Sequence, residues 1–563
     1  MYKSHTIFNG KKGLAGLPAT YAAEDEAMTL EVELEDAVAE MTLVLSYTIF
    51  KDYAAVARHA TFKNKGDSRV NLTRALSCCL DLPDQNYEWM QFSGGWARER
   101  IPDVKKLSTG TVAIESRRGA SSANQNPFII IKRPNTDEFS GEAIGLSFVY
   151  SGNFIALAEG NNYDRLRLLM GIHPDRFEWP LDRGQTFETP EVVIAMSSSG
   201  LNSLSQTYHK LYNNNLVRGK WKNRLRPILN NNWEATFMDF TEESILKIAR
   251  KAKEAGVELF VLDDGWFGER NDDTAGLGDW VENPAKLPEG IAGLARKIKA
   301  LGLDFGFWIE PEMVNPNSNL YRRHPDWVLA VPGRKSSLGR HQLVLDFSRQ
   351  EVVDAIFDML YKVIKDAPVS YIKWDMNRVL TEVYSLGSSA DYQGTVYHRH
   401  IMGVYSLYEK LIKAFPDILF ESCSSGGNRF DAGMLYYSPQ IWCSDDTDAI
   451  ERLAIQEGTA LLYPLSTMGA HISDCPNHAI GRTTPFETRG HVALAGTFGY
   501  ELDVTKIPEE DRVLIANQCS MYHRYNDLVR SGDYYRMASY QSNGYYDAYS
   551  YDAYGYDANA YGY

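Results

Sequence analysis

From about residue 219 onward, short apolar runs of strand length alternate with amphipathic segments of helical period. No other feature constrains the fold of this chain as much. The strand candidates are residues 228–233, 259–266, 305–312, 371–375, 419–427, 441–446, 461–473 and 496–504, with 343–347 as an extra short one. Residues 242–255, 291–301, 351–364 and 396–415 read as intervening helices. Strand and helix alternating over this length predict an α/β fold, a (β/α)8 TIM barrel, whose reactive residues gather at the C-terminal ends of the strands. A doubly wound open sheet is the other solution. It would want a Gly-rich phosphate-binding first turn, and the stretch Asn230 to Trp233 is not one.

The first 200 residues have a different rhythm. Runs such as 28–34, 41–50, 128–131, 144–150 and 154–159 are short, close together and separated by Gly, Asn, Asp and Pro. That pattern predicts an antiparallel β-sandwich over residues 1–200. Residues 201–218 read as a connecting helix, with Leu201, Leu204, Tyr208 and Leu211 on one stripe. The barrel is assigned to 219–535. Residues 536–563 form a low-complexity tail, Tyr/Asp/Ala/Gly repeats from about Tyr540, with little aliphatic content and an expectation of poor order.

A chain of 563 residues is too long for one core, which agrees with this division. Its net charge of −15 argues against a nucleic-acid or anionic-membrane partner. The start of the chain has no apolar leader, and nowhere do 18 apolar residues run together. Six cysteines without a CxxC pair read as reduced thiols, so the expected compartment is the cytoplasm.

The strand ends carry the chemistry. Tyr371-Ile-Lys-Trp-Asp-Met-Asn-Arg378 runs into Asp375, with Lys373 on the same strand face and Arg378 three places on. A carboxylate kept ionised by neighbouring cations suits a nucleophile, and it equally suits an ordinary strand-end salt bridge. What tips the balance is that other runs end in the same way. They deliver Trp233; Asp263, Asp264 and Trp266; Trp308, Glu310 and Glu312; a Cys423-Ser-Ser-Gly-Gly427 turn; and Asp445, Asp446 and Asp448. Asp263/Asp264 and Asp445/Asp446 offer oxygen ligands to a divalent metal, but His324, His341, His398, His400 and His471 form no HxxxH pair, and the reading here is no metal and no cofactor. No Gly-rich phosphate loop precedes a helix, which argues against a nucleotide substrate. An acidic rim with aromatic platforms fits glycoside hydrolysis, in which two carboxyls flank the scissile bond, about 5–5.5 Å apart in retaining enzymes. Asp375 is the candidate nucleophile and Asp445 the candidate acid/base, with Asp446 and Asp448 as rivals for the second role. In the N-terminal part, residues 87–100 hold two tryptophans and a Gly-Gly turn, and read either as a surface loop or as a flap over a sugar site.

Lys-Trp-Asp-Met-Asn-Arg, Leu-Asp-Asp-Gly-Trp-Phe, Phe-Trp-Ile-Glu-Pro-Glu-Met, Ser-Cys-Ser-Ser-Gly-Gly and Cys-Ser-Asp-Asp-Thr-Asp together resemble the α-galactosidases of glycoside hydrolase family 36, the bacterial melibiase and raffinose-degrading branch above all. The resemblance covers residues 5–540. It implies a retaining hydrolase of terminal α-linked galactose in substrates such as melibiose and raffinose, with Asp375 as nucleophile and Asp445 as acid/base. It also implies that Asp263 and Asp264 bind the galactose 4- and 6-hydroxyls. Lys373, Arg340, Trp308, Cys423 and Gly426 match further pocket positions, Trp233 matches a pocket wall, and residues 94–100 match the N-terminal segment that approaches the site. The family's sandwich starts earlier and its barrel is followed by a small β domain, so the chain is expected to be shortened at both ends. The homotetramer implied by the family rests partly on the N-terminal domain and stays an open expectation. A galactosyltransferase of the raffinose-synthase kind and an inactive sugar-binding relative are the alternatives.

Overall fold

The computed structural model describes residues 1–121 and 123–539. The repeats expected to form a tail from residue 540 lie outside the described residues. Ten strands make one antiparallel sheet. Tyr2–Asn9, Ala27–Asp36, Met41–Phe50 and Ala55–Asn64 meander, and Glu191–Ser197, Ala143–Val149, Gln125–Lys132, Glu88–Gly95 and Arg98–Lys106 continue the order, with Thr186–Glu188 beside Ala55–Asn64. Leu76–Leu82, Leu166–Ile172, Phe154–Gly160 and Gly110–Ser116 form a second antiparallel sheet that packs on the middle of the first. Gln125–Lys132 and Ala143–Val149 are buried along almost their whole length rather than on alternate residues, because both faces are covered. The small sheet lies on one side, and helix Gly200–Asn215 contacts Ala143–Val149 on the other. Tyr208 of that helix lies so close to the strand that a Cβ on Gly145 would meet its ring hydroxyl at 2.8 Å.

Eight parallel strands then close into a barrel. They are β1 (Leu229–Asn231), β2 (Leu259–Leu262), β3 (Asp304–Ile309), β4 (Tyr371–Trp374), β5 (Leu419–Ser422), β6 (Gln440–Trp442), β7 (Met468–Ser473) and β8 (Thr497–Glu501). β8 pairs back onto β1 through Leu229 and Gly499. Leu229, Leu259, Val261, Tyr371 and Leu419 fill the closed end of the interior as a small apolar cluster. Alternation decides what faces in. Tyr371 belongs to that inner cluster, while Trp374 points outward and stacks on Tyr408 of helix Val396–Ala414 with ring centroids 3.8 Å apart. The outer helices show ordinary local logic. In Glu242–Ala255, Thr241 and Ser244 form a capping box, Ile245, Ile248, Ala249 and Ala252 are buried, and Gly256 ends the helix at φ 105°.

Two sequence-based expectations are corrected and a third is trimmed. The seventh run was read as one strand from residue 461, but the first half is turn and 3-10 helix and only Met468–Ser473 pairs. Leu461 and Leu462 are apolar because they pack in the core, not because they lie on a strand. The extra run near 343 gives only a two-residue strand, Leu343–Val344, paired with Met313–Val314 outside the barrel. Trp233 does not end β1; it opens the short helix Trp233–Thr236. Among the described residues, no helix is long and apolar enough to cross a membrane.

Candidate active site

The C-terminal ends of the barrel strands surround a cavity of about 390 Å³. Trp233, Asp263, Asp264, Trp308, Arg340, Lys373, Asp375, Cys423 and Asp445 line it, which brings together residues from the ends of β1 to β6. Gly426, expected on this wall, is not among the lining residues. It stands behind Asp445, where a Cβ would meet the Asp445 backbone nitrogen at 2.6 Å, and its φ of 78° also calls for glycine.

Asp375 follows β4 directly. One carboxylate oxygen accepts from the backbone N–H of Met376 (2.8 Å) and of Ser425 (3.1 Å). The other accepts from the Trp308 indole (3.1 Å) and the Asn377 amide (2.8 Å). Burial alone would favour the neutral form, but Lys373 and Arg340, helped by hydrogen bonds from Cys423 and Asn377, outweigh it and hold the carboxyl below its ordinary value. The cations are not all those expected. Arg378 turns away to the carbonyls of Ser337, Gln342 and Val379, and Arg340 takes its place from a loop where Arg340 and His341 both have positive φ.

Asp445 stands three residues beyond β6. Its oxygens accept from two indoles, Trp442 (3.1 Å) and Trp96 (2.9 Å). Its carboxyl is raised, first by burial and then by the nearby negative charge of Asp375; Trp96, Lys373 and Arg340 oppose the shift without cancelling it. The rivals lie elsewhere. Burial pushes Asp446 up to about 7, but its oxygen accepts from the Asp448 N–H at 3.0 Å and it does not line the cavity. Asp448 caps helix Ala449–Ala460 and pairs with Arg482.

Across the cavity the Lys373 ammonium donates to Asp263 at 2.8 Å, and Asn231 donates to the same oxygen at 2.7 Å. Arg270 grips Asp264 with its Nε and one terminal nitrogen, at 3.1 and 2.8 Å. Each carboxyl is held by a cation and keeps oxygen lone pairs to spare, the chemistry that hydroxyl donors need. Glu501, at the end of β8, lines the same cavity. Burial keeps its carboxyl well above the ordinary range, and it is hydrogen-bonded to His471 at 2.9 Å. Aromatic rings stand around the walls. Trp233 meets Phe237 edge-on at 5.2 Å, Phe237 lies 6.2 Å from His478, and Trp96 is one-third exposed.

Several lining residues were missed. Asn377, Trp442 and Glu501 could have been found, since each sits within three residues of a strand end or of a carboxylate already singled out. Ser425 lies inside the Cys423–Gly427 turn already singled out and Glu234 is next to Trp233, whereas Phe237, His478 and Ala479 gave no separable signal. The stretch 87–100 proves to be a hairpin whose turn carries Trp96 to Asp445 across 349 residues of chain. Among the described residues, no group of three or more His, Cys, Asp and Glu side chains is arranged to hold a metal ion.

Comparison with known proteins gives this architecture relatives. Residues 1–182 match the glycosyl hydrolase family 36 N-terminal domain, and residues 186–532 match melibiase. The chain is 52% identical over 539 residues to α-galactosidase AgaA of Geobacillus stearothermophilus, covering 96% of this chain and 74% of that protein. It is 44% identical to α-galactosidase Mel36A of Lactobacillus acidophilus, again over 96% of this chain and 74% of the relative. The crystal structure of AgaA superimposes with a TM-score of 0.95, covering 96% of this chain and 76% of that one, and a variant of AgaA has been solved in complex with raffinose.

Proposed function

This chain belongs to glycoside hydrolase family 36 and is an α-galactosidase, and we propose that it removes terminal α-D-galactosyl residues from oligosaccharides such as melibiose and raffinose with retention of configuration. Asp375 attacks the anomeric carbon from the face opposite the leaving oxygen, while Asp445 gives that oxygen its proton. The C–O bond to the aglycone breaks and a covalent β-galactosyl ester on Asp375 remains. Water then attacks the same carbon as Asp445 takes its proton back, releasing α-galactose and restoring both carboxyls. The observation that carries this reading is the opposite displacement of two carboxyls that line one cavity, Asp375 held towards the ionised form and Asp445 towards the protonated one. Asp263 and Asp264 are assigned to the galactose hydroxyls, with Lys373, Arg340, Trp308 and Cys423 completing the glycone pocket, and Trp233 and Phe237 to the aglycone side. A cavity of about 390 Å³ suits a sugar held at one end of a longer chain. Six unbridged thiols support a cytoplasmic location.

The test is Asp375→Ala with an activated aryl α-galactoside. Turnover should fall by at least about three orders of magnitude, and added azide should yield β-galactosyl azide, since the small anion enters from the vacated face. Wild-type-like hydrolysis by this variant would end the proposal.

A further inference from the structure

The hairpin formed by Glu88–Gly95 and Arg98–Lys106 does more than deliver Trp96. Behind it, Glu99 and Arg100 run into the barrel and are fully buried, at 0% and 2% exposure, although both belong to the N-terminal sheet. Glu99 accepts from the backbone N–H of Gly427 at 3.2 Å. Arg100 donates to the Gly427 carbonyl (2.9 Å), the Cys443 carbonyl (2.5 Å) and the Thr459 hydroxyl (2.7 Å), and its guanidinium lies over the Phe430 ring at 4.8 Å. One planar fork thus bridges two loops of the barrel rim, the one after β5 and the one after β6.

Those two loops hold the reacting carboxyls. The loop after β5 gives the Ser425 N–H to Asp375, with Ser425 at φ 45° and Gly426 at φ 78°. The loop after β6 carries Asp445 two residues beyond Cys443. Neither Gly426 nor Gly427 has room for a side chain, because a Cβ on Gly426 would meet the Glu99 carboxylate at 2.7 Å and one on Gly427 would run into the Arg100 guanidinium. On the hairpin side Ala97 and Arg100 adopt left-handed conformations, at φ 61° and 57°. Non-glycine residues in that region persist only where surrounding contacts over-determine them. Here the contacts are the hydrogen bonds of Trp96, Glu99 and Arg100 across to the barrel.

We infer that Glu99 and Arg100 are positioning residues, a clamp from the N-terminal sheet that fixes the spacing of Asp445 from Asp375 by tying the loop that donates to Asp375 to the loop that carries Asp445. The inference rests on the reading of Asp445 as the acid/base. It makes the N-terminal domain part of the catalytic apparatus rather than a support beside it.

The experiment compares kcat/KM, which reports steps up to cleavage of the galactosyl bond, on two substrates. Raffinose has a poor leaving group that needs a proton, whereas 2,4-dinitrophenyl α-galactoside has one that leaves unaided. Asp445→Ala is the reference, expected to lose on the order of 10²–10⁴-fold on raffinose and under about ten-fold on the aryl substrate. Arg100→Lys keeps the charge but removes the fork. It should lose about thirty-fold on raffinose, under about three-fold on the aryl substrate, and shift the alkaline limb of the pH profile. Glu99→Ala should follow the same pattern, and Glu99→Gln, which still accepts from Gly427, should recover most of the loss. If Arg100→Lys does not fold, the Glu99 pair carries the test. Equal losses on both substrates for the clamp variants, beside a leaving-group-dependent Asp445→Ala, overturn the clamp and leave the acid assignment standing. Equal losses for Asp445→Ala itself overturn the acid assignment, and the clamp falls with it.

Discussion

Asp375 and Asp445 are the same side chain facing the same cavity, and their surroundings make them different acids. Asp375 sits at the end of a strand with five hydrogen-bond donors, the Cys423 thiol among them and all from the barrel, and with Lys373 and Arg340 close enough to outweigh burial. Asp445 lies out on a loop with two indole donors, one lent by the N-terminal sheet, and its burial is not outweighed. Burial is common to both, so it cannot account for the difference; the balance of nearby charge does. Each pKa unit between them is worth about 1.4 kcal/mol, so modest changes in the surrounding charges redistribute the proton. The arrangement is also self-reinforcing, because an ionised Asp375 is itself one of the charges that keep Asp445 protonated.

Lys373→Met breaks this comparison most severely. Lys373 and Asp263 are buried partners, at 8% and 4% side-chain exposure. Removing one partner of such a pair leaves an uncompensated charge and costs about 3–5 kcal/mol. Thermal unfolding should therefore move down by several degrees. Lys373 also lowers the pKa of both Asp375 and Asp445, so both limbs of the kcat/KM profile should move to higher pH together. A loss of stability with an unmoved profile would reduce Lys373 to a structural role.

The contrast between the two carboxyls was half legible in the sequence. Period-two alternation put Lys373 and Asp375 on one face, and the apolar runs located the barrel strands within a few residues, apart from the seventh, because a strand buried between helices is mostly apolar. The same rule reached Asp263, Trp308 and Asp445. It failed where a residue acts from a distance. Arg378 is nearer to Asp375 in sequence than Arg340, yet Arg340 is the cation that counts, because the backbone beyond Asp375 turns Arg378 into the 337–342 loop. Trp96 and its buried neighbours Glu99 and Arg100 could be read as an unusual turn, but nothing local says that their partners lie more than 300 residues further on.

Trp96→Phe sharpens the comparison at one carboxyl only. The indole donates to Asp445 and favours its ionised form. Taking away that donor should raise the Asp445 pKa and move the alkaline limb upward. The acid limb, which the proposed mechanism assigns to Asp375, should stay in place. A single neutral hydrogen bond at a partly exposed residue is worth about 1 kcal/mol, so the shift should stay under about one pH unit. Movement of both limbs would mean that the hairpin acts on the whole site rather than on Asp445.

The smallest expected effect concerns a third carboxyl, Glu310, just beyond β3. It is fully buried and accepts from the Asn377 backbone N–H at 2.5 Å and from the Gln342 amide at 3.1 Å, so it supports the residue that donates to Asp375. Burial first, and then the charge of Asp375, push it up to about 8 from an ordinary 4.5, with Arg340 and Asn377 only partly opposing. The folded protein thus holds a proton there that the unfolded chain gives up above about pH 4.5. The stability this proton contributes is complete below that value and is lost as pH rises towards about 8. Glu310→Gln is neutral at every pH and removes that dependence. Its unfolding temperature should therefore fall less than that of the wild type between about pH 5 and 8, while kcat changes by no more than about five-fold, the worth of one altered hydrogen bond. Parallel melting curves across that range would mean that Glu310 is ionised in the folded protein. Two adjacent buried carboxylates would then share the charge of Arg340, and the contrast between Asp375 and Asp445 would have to be drawn among three groups instead of two.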